Sequence, residues 1–236
     1  MLELKNVSKI YAKSNVKACD NVSLTIDDGD IYGFIGPNGA GKSTTIKCIV
    51  GIHDYNEGEI LLDGVSIKEN PLEIKKKIAY VPDNPDLYEQ LTGIEYINFV
   101  CNIYGIKDNM DELVHKYAQM FNIEEALGSQ IKTYSHGMKQ KVALIAALAH
   151  KPKLLILDEP FVGLDPKASF DLKQIMKELC DSGTMIFFSS HVLEVVEKLC
   201  NKIAIIKNGK IVASGTVDDV IGDSSLEEAF MELYNE

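Results

Sequence analysis

The sequence predicts an α/β fold: a core built on a parallel sheet, an antiparallel β subdomain near the N-terminus, and a helical subdomain inserted in mid-chain. Three observations predict it. A short apolar strand, Ile31–Ile35, runs into the glycine cluster Gly36–Gly41, after which a helix starts near Lys42. Two wholly apolar runs, Leu154–Leu157 and Met185–Phe188, flank a helical pattern over Pro166–Cys180, which makes a β-α-β unit and hence a parallel sheet. From Thr92 to Ala149 strand-like runs vanish and apolar residues recur at helical spacing, as at Ile94, Ile97, Cys101 and Tyr104.

The remaining elements follow in chain order. Leu2–Val7 and Val22–Ile26 alternate apolar with polar residues, as half-buried strands do, and Asp27-Asp28-Gly29-Asp30 is a turn. The helix after the glycine cluster ends before Gly51. Glu59–Leu62 and Val65–Ile67 form a hairpin about Asp63-Gly64, and Ile78–Val81 is a short strand closed by Pro82. A last hairpin turns at Asn208-Gly209, and a helix begins near Leu226. No repeat or linker interrupts the chain, so residues 1–236 are expected to form one domain. Within it, 1–91 and 150–236 make the core with its β subdomain, and 92–149 make the helical subdomain.

Composition narrows the functional classes. The chain has 236 residues, 46% hydrophobic and 25% charged, with 24 Lys and Arg against 35 Asp and Glu. The net charge of −11 disfavours the phosphate-neutralising surface of a nucleic-acid binder, and equally disfavours unaided binding to an anionic membrane. No run approaches the ~18 apolar residues of a spanning helix. The N-terminus lacks the apolar segment of a signal peptide, so a soluble, non-secreted protein is expected. Five cysteines without C-x-x-C spacing read as free thiols in a reducing cytosol.

The glycine cluster carries the first chemistry. Gly36, Pro37, Asn38, Gly39, Ala40, Gly41, Lys42 and Ser43 fit G-x-x-x-x-G-K-[ST], and Thr44 follows. Glycines let successive backbone N–H groups turn inward around phosphates, and the helix N-terminus adds a favourable dipole. Lys42 supplies a cation for the β- and γ-phosphates, and Ser43 a hydroxyl ligand for Mg²⁺. The second chemistry is Asp158-Glu159 at the end of a buried strand, where ligands of open α/β sheets bind. Asp158 is suited to hold Mg²⁺ through water, and Glu159 to accept a proton from an attacking water. Together these describe a P-loop NTPase core.

A third segment is more specific. Tyr134-Ser-His-Gly-Met-Lys-Gln-Lys141, upstream of Asp158, resembles the signature of ABC (ATP-binding cassette) ATPases. Further matches follow in order along the whole chain. The resemblance places Tyr11 as the adenine-stacking aromatic, Asp83 after Tyr80-Val-Pro82 at the Q-loop position, Gly163-Leu-Asp165-Pro as the D-loop, and His191 as the switch histidine. Ser135 is a natural N-cap for the apolar helix after it. In the family this helix start, with Ser135 and Gly137, addresses the γ-phosphate held by an opposite subunit, so two ATP molecules are sandwiched between two cassettes. The sequence departs from the family at Asp83, which replaces an amide with a shorter, acceptor-only side chain, and at His136 and Met138 within the signature. Asp83 remains a candidate metal residue, and the loop 83–91 is expected to carry the signal to the membrane partner.

The resemblance implies an ATPase using ATP and Mg²⁺, with Glu159 and His191 catalytic and Asp165 in the nucleotide-binding set. The signature and the ending Leu226–Leu233 are similar to those of cassettes that pair with ABC-2 exporters. That implies a separate membrane-spanning permease subunit, a second cassette in a homo- or heterodimer, and a cytoplasmic position held at the inner face of the membrane through the permease. Two other readings are a non-transport ABC ATPase and a docking module that binds ATP without turnover. The single short cassette and the acidic charge disfavour the first; Glu159 and His191 disfavour the second.

Overall fold

The computed structural model describes residues 1–12, 14–106 and 110–235. Its strands are β1 (Leu2–Ile10), β2 (Lys17–Ile26), β3 (Ile31–Ile35), β4 (Glu57–Leu62), β5 (Val65–Ser66), β6 (Ile78–Val81), β7 (Leu154–Asp158), β8 (Met185–Ser190), β9 (Lys202–Lys207) and β10 (Lys210–Thr216). Its helices are α1 (Lys42–Ile49), α2 (Pro71–Lys75), α3 (Gly93–Ile103), α4 (Met110–Met120), α5 (His136–Ala149), α6 (Pro166–Asp181), α7 (Leu193–Leu199), α8 (Val217–Ile221) and α9 (Leu226–Asn235).

The strands make two sheets. The larger runs in the order β10-β9-β3-β8-β7-β6 and is parallel except for its β9–β10 hairpin. The smaller, antiparallel sheet runs β2-β1-β4-β5. Strands β3, β7 and β8 are buried on both faces, which is why they read as continuous apolar runs rather than alternating ones. Alternate residues still part company. Ile35, Leu155, Leu157, Ile186 and Phe188 join a core shared with α5 and α6, while Phe34, Leu154, Ile156, Met185 and Phe187 join one shared with α1 and the antiparallel sheet.

Several boundaries differ from the sequence expectation for identifiable reasons. β1 continues to Ile10 because its ladder resumes beyond an irregularity at Asn6, whose φ of 51° breaks the alternation. β7 and β8 extend into Asp158 and Ser189–Ser190 because these polar residues keep the parallel register, Asp158 opposite Ser189, and satisfy one another by hydrogen bonding. Helices α2, α7 and α8 are too short for a periodic signal. β5 stops at Ser66, although the Ile67 N–H still donates to the Ile60 carbonyl at 3.1 Å.

The helical segment starts where local chemistry dictates. Thr92 and Glu95 form a reciprocal capping box at the head of α3: the Thr92 hydroxyl accepts the Glu95 N–H, and the Glu95 carboxylate accepts the Thr92 N–H. Among the described residues no helix is long and apolar enough to cross a membrane.

Candidate functional site

The site lies at the carboxyl ends of β3 and β7 and the start of α1. Gly39 and Gly41 adopt φ of 81° and 112°, the left-handed region that glycine reaches without a steric penalty. A Cβ at Gly41 would lie 2.5 Å from the Ala18 carbonyl oxygen, so the second turn has no room for a side chain. No side chain caps α1, and its first turn holds no acid. Its N–H groups and dipole are therefore directed at whatever enters the loop.

A cavity of about 200 Å³ opens there, lined by residues that include Pro37, Asn38, Gly39, Gly41, Lys42, Ser43, Thr44, Asp83 and Glu159. The fold thus gathers most of the expected phosphate loop around two carboxylates distant in the sequence, Asp83 and Glu159. Lys42 is 6% exposed, and its Nζ donates to the carbonyls of Gly36 at 2.6 Å and Pro37 at 3.3 Å. It also lies 3.7 Å from Glu159 Oε1. Glu159 Oε2 meets His191 Nδ1 at 2.9 Å. One carboxylate therefore sits between a buried ammonium and an exposed imidazole.

Glu159 itself holds a φ of 50°, a conformation costly for a side chain with a Cβ and concentrated at sites where function fixes it. Ser189, at the end of the neighbouring strand, pins the turn. Its Oγ accepts the Glu159 N–H at 3.0 Å and donates to Asp158 Oδ1 at 2.5 Å. Sequence reasoning missed Ser189; the signal was a polar pair, Ser189-Ser190, closing an otherwise apolar strand. Asp158 is set back from the cavity and 2% exposed. Burial, reinforced by the charges of Asp158 and Asp83, pushes the nearby Tyr80 phenol well above its ordinary pKa. Among the described residues no group of three or more His, Cys, Asp and Glu forms a closed metal cage.

Tyr11 lies just past the end of β1. Its hydroxyl is 3.2 Å from Thr44 Oγ1, which ties it to the rim of the cradle, and its ring meets His53 edge-on at 5.5 Å.

Ser135, Gly137 and Asp165 do not line the cavity of their own chain; they form a separate cluster. The Ser135 Oγ accepts the Met138 N–H at 3.3 Å and caps α5. A Cβ at Gly137 would lie 2.4 Å from the Gly163 carbonyl oxygen, so signature and D-loop backbones touch. Asp165 caps α6 through the Ala168 N–H at 2.9 Å and pairs with Lys141 at 2.7 Å. Those two bonds hold its carboxyl below the usual range. Lys139 likewise pairs with Glu89 at 2.7 Å. Both basic residues in the first turns of α5 thus have acidic partners that offset their clash with the helix dipole.

Comparison with known proteins identifies the family. The model of the ABC transporter family matches residues 19–162, a span holding the cradle, the signature and the acidic pair. The chain is 36% identical over 242 residues to the ABC-type transporter ATP-binding protein EcsA of Bacillus subtilis, covering 100% of this chain and 97% of that one. It is 35% identical over 214 residues to the SkfA peptide export ATP-binding protein SkfE of the same organism, covering 90% and 87%. Its fold superposes with a TM-score of 0.84, at 26% identity and covering 92% and 99%, on a dimeric post-hydrolysis state of the ATP-binding cassette MJ0796 bound to ADP and Pi. On these matches the chain belongs to the ABC transporter family as one of its ATPases.

Proposed function

We propose that this chain is the ATPase subunit of an exporter, working as a pair of cassettes bound to a separate membrane-spanning subunit at the inner face of the cell membrane. The observation that carries the reading is the division of one loop between two sites. Asp83 lines the cradle, whereas Asn84, Pro85, Asp86 and Leu87 line a groove of about 570 Å³ shared with Tyr96, Val100 and Tyr104 on the α3 side and with Ala143, Ala146 and Ala147 of α5. A change at the phosphates is thereby one residue away from a docking groove.

The groove has the chemistry of an unfilled contact. Tyr88 (60% exposed) lies against the groove residue Tyr96, with ring centroids 6.3 Å apart, and meets Phe99 (41% exposed) edge-on at 5.5 Å, which extends its apolar face outward. Inside it, Tyr80 Oη and His150 Nδ1 are buried without a partner among the described residues. Exposed apolar area next to unsatisfied polar atoms is characteristic of a surface completed by another protein. The helical subdomain over 92–149 supplies one wall of this groove, and the core the other. Export as the direction is supported by the similarity to the peptide-export protein and by the exporter-like signature. The test is co-expression with the membrane subunit. Replacing both Tyr88 and Phe99 by Ser is expected to weaken co-purification by about tenfold or more, as loss of aromatic anchors does. ATPase activity of the isolated chain should change less than twofold; retained co-purification would refute the groove as the docking site.

In the cradle, Lys42 and the N–H groups of 39–44 hold the ATP phosphates, Tyr11 carries the base, and Glu159 activates water that His191 helps to position. Ser135, Gly137 and Asp165 lie outside the lining of their own cradle, which supports their completing the site of a second cassette. The donor set fits Mg²⁺, which takes one or two protein oxygens and otherwise waters and phosphate oxygens. Ser43 and, through water, Asp158 would hold it, where it would neutralise charge developing on the phosphates. Asp83 sits on the same cavity. Asp83→Asn is expected to raise the Mg²⁺ needed for half-maximal ATPase by roughly two- to fivefold, a modest effect because solvent screens an exposed carboxylate. An unchanged Mg²⁺ titration would leave the residue a docking role only.

A further inference from the structure

The C-terminal helix α9 reaches the rear wall of the phosphate cradle. The Tyr234 hydroxyl donates to the Ile206 carbonyl, and the Lys207 ammonium donates to the carbonyls of Leu233 at 3.1 Å and Tyr234 at 3.3 Å. Lys207 thus satisfies two carbonyls at the end of α9 and sets a cation against the negative end of its dipole. The Tyr234 ring is held in place by stacking on Phe230, with centroids 4.4 Å apart.

Ile206 and Lys207 end β9 directly behind the cradle. A Cβ at Gly36 would lie 2.5 Å from the Ile206 carbonyl oxygen, the same atom that accepts the tyrosine hydroxyl. The Ile206 side chain also underlies Gly41, with Cδ1 3.2 Å from where a Cβ would be. Two residues past Lys207, the Gly209 N–H donates to the Ala40 carbonyl at 2.8 Å. Gly36, Ala40 and Gly41 therefore rest on the segment 206–209. That segment is fixed from behind by α9.

We infer that Tyr234 and Lys207 are positioning residues for nucleotide binding, holding the Ile206 carbonyl so that the cradle's N–H groups stay aimed at the phosphates. A cradle made of backbone N–H groups binds tightly only when its geometry is set in advance. The hydroxyl acts on the loop and touches no reacting atom, so its loss should appear in affinity and not in the chemical step. The inference rests on Gly36–Thr44 being the phosphate site.

The test uses the full chain with ADP and ATP. Tyr234→Phe keeps the ring and its stacking and removes only the hydroxyl; Lys207→Met removes the cation. Each is expected to raise the ADP dissociation constant in calorimetry about three- to tenfold, the size of one hydrogen bond. At saturating ATP, kcat should stay within about twofold. Amide hydrogen exchange should quicken at residues 39–44 and remain unchanged in β1 and β4. Phe230→Leu, which loosens the stacking without touching Ile206, should do less than Tyr234→Phe. Unchanged affinity and exchange, uniformly faster exchange throughout the chain, or equal effects of Phe230→Leu and Tyr234→Phe would each overturn the inference. Lys42→Ala separates the two failures. If Lys42→Ala leaves binding intact, the cradle reading itself fails; if it weakens binding while Tyr234→Phe does nothing, only the role of α9 fails.

Discussion

Replacing Glu159 by Gln lowers ATP turnover by at least about 100-fold while nucleotide affinity stays within about threefold, the signature expected of a lost general base. The amide keeps the size of the side chain and an acceptor for His191, whose Nδ1 lies 2.9 Å from Glu159 Oε2. It loses the charge that takes a proton from water. Affinity is spared for a second reason. The Glu159 carboxylate lies 3.7 Å from Lys42 Nζ, and neutralising it frees the ammonium for phosphate. Because the backbone at Glu159 is pinned by Ser189 and by its left-handed φ, the substituted residue should stay where the glutamate was. Slow hydrolysis should trap an ATP-bound pair of chains, visible as a dimer in size-exclusion chromatography. Near-normal turnover would move the base to the other carboxylate on the cavity, Asp83.

The second large effect belongs to Lys42. Lys42→Ala should weaken ADP and ATP binding roughly 10- to 100-fold in calorimetry, matching the ~1.5–3 kcal/mol of a charge-assisted hydrogen bond. The ammonium is already buried, and its donors are provisionally satisfied by the Gly36 and Pro37 carbonyls. Binding therefore exchanges carbonyl partners for phosphate oxygens without a new desolvation cost on the lysine. Alanine removes that cation and also leaves the Glu159 carboxylate facing the phosphates unneutralised, so repulsion adds to the lost attraction. Binding unchanged within twofold would rule out Gly36–Ser43 as the phosphate site.

Both predictions depend on residues whose chemistry was legible before any coordinates. Their relation to each other was not. Lys42 is separated from Glu159 by the whole of the helical segment, and nothing in the spacing says that the ammonium and carboxylate meet. The same holds for the aspartate at the Q-loop position: the sequence places Asp83 and Asn84 side by side, and only the structure shows them lining different cavities.

What the sequence determined by itself was everything written in short-range hydrogen bonding and in the period of burial. The cradle needs glycine at left-handed turns followed by a helix start, and Gly36–Ser43 states that locally. Thr92 with Glu95, Ser135, and Asp165 before Pro166 announce helix starts within four residues of the groups they cap. The apolar runs of β3, β7 and β8 announce strands buried on both faces. The tertiary structure decided which strand ends stand together, because strand order is set by which faces can be buried at once across separations of tens to hundreds of residues. Pairing β7 with β8 put Ser189 opposite Asp158 and so turned a polar strand end into the clamp on Glu159. Placing β9 beside β3 brought Ile206 under Gly36 and gave α9 a carbonyl to hold. A hydrogen bond within a turn is encoded by the residues that make it, whereas a hydrogen bond between strands is encoded by the packing of the whole core.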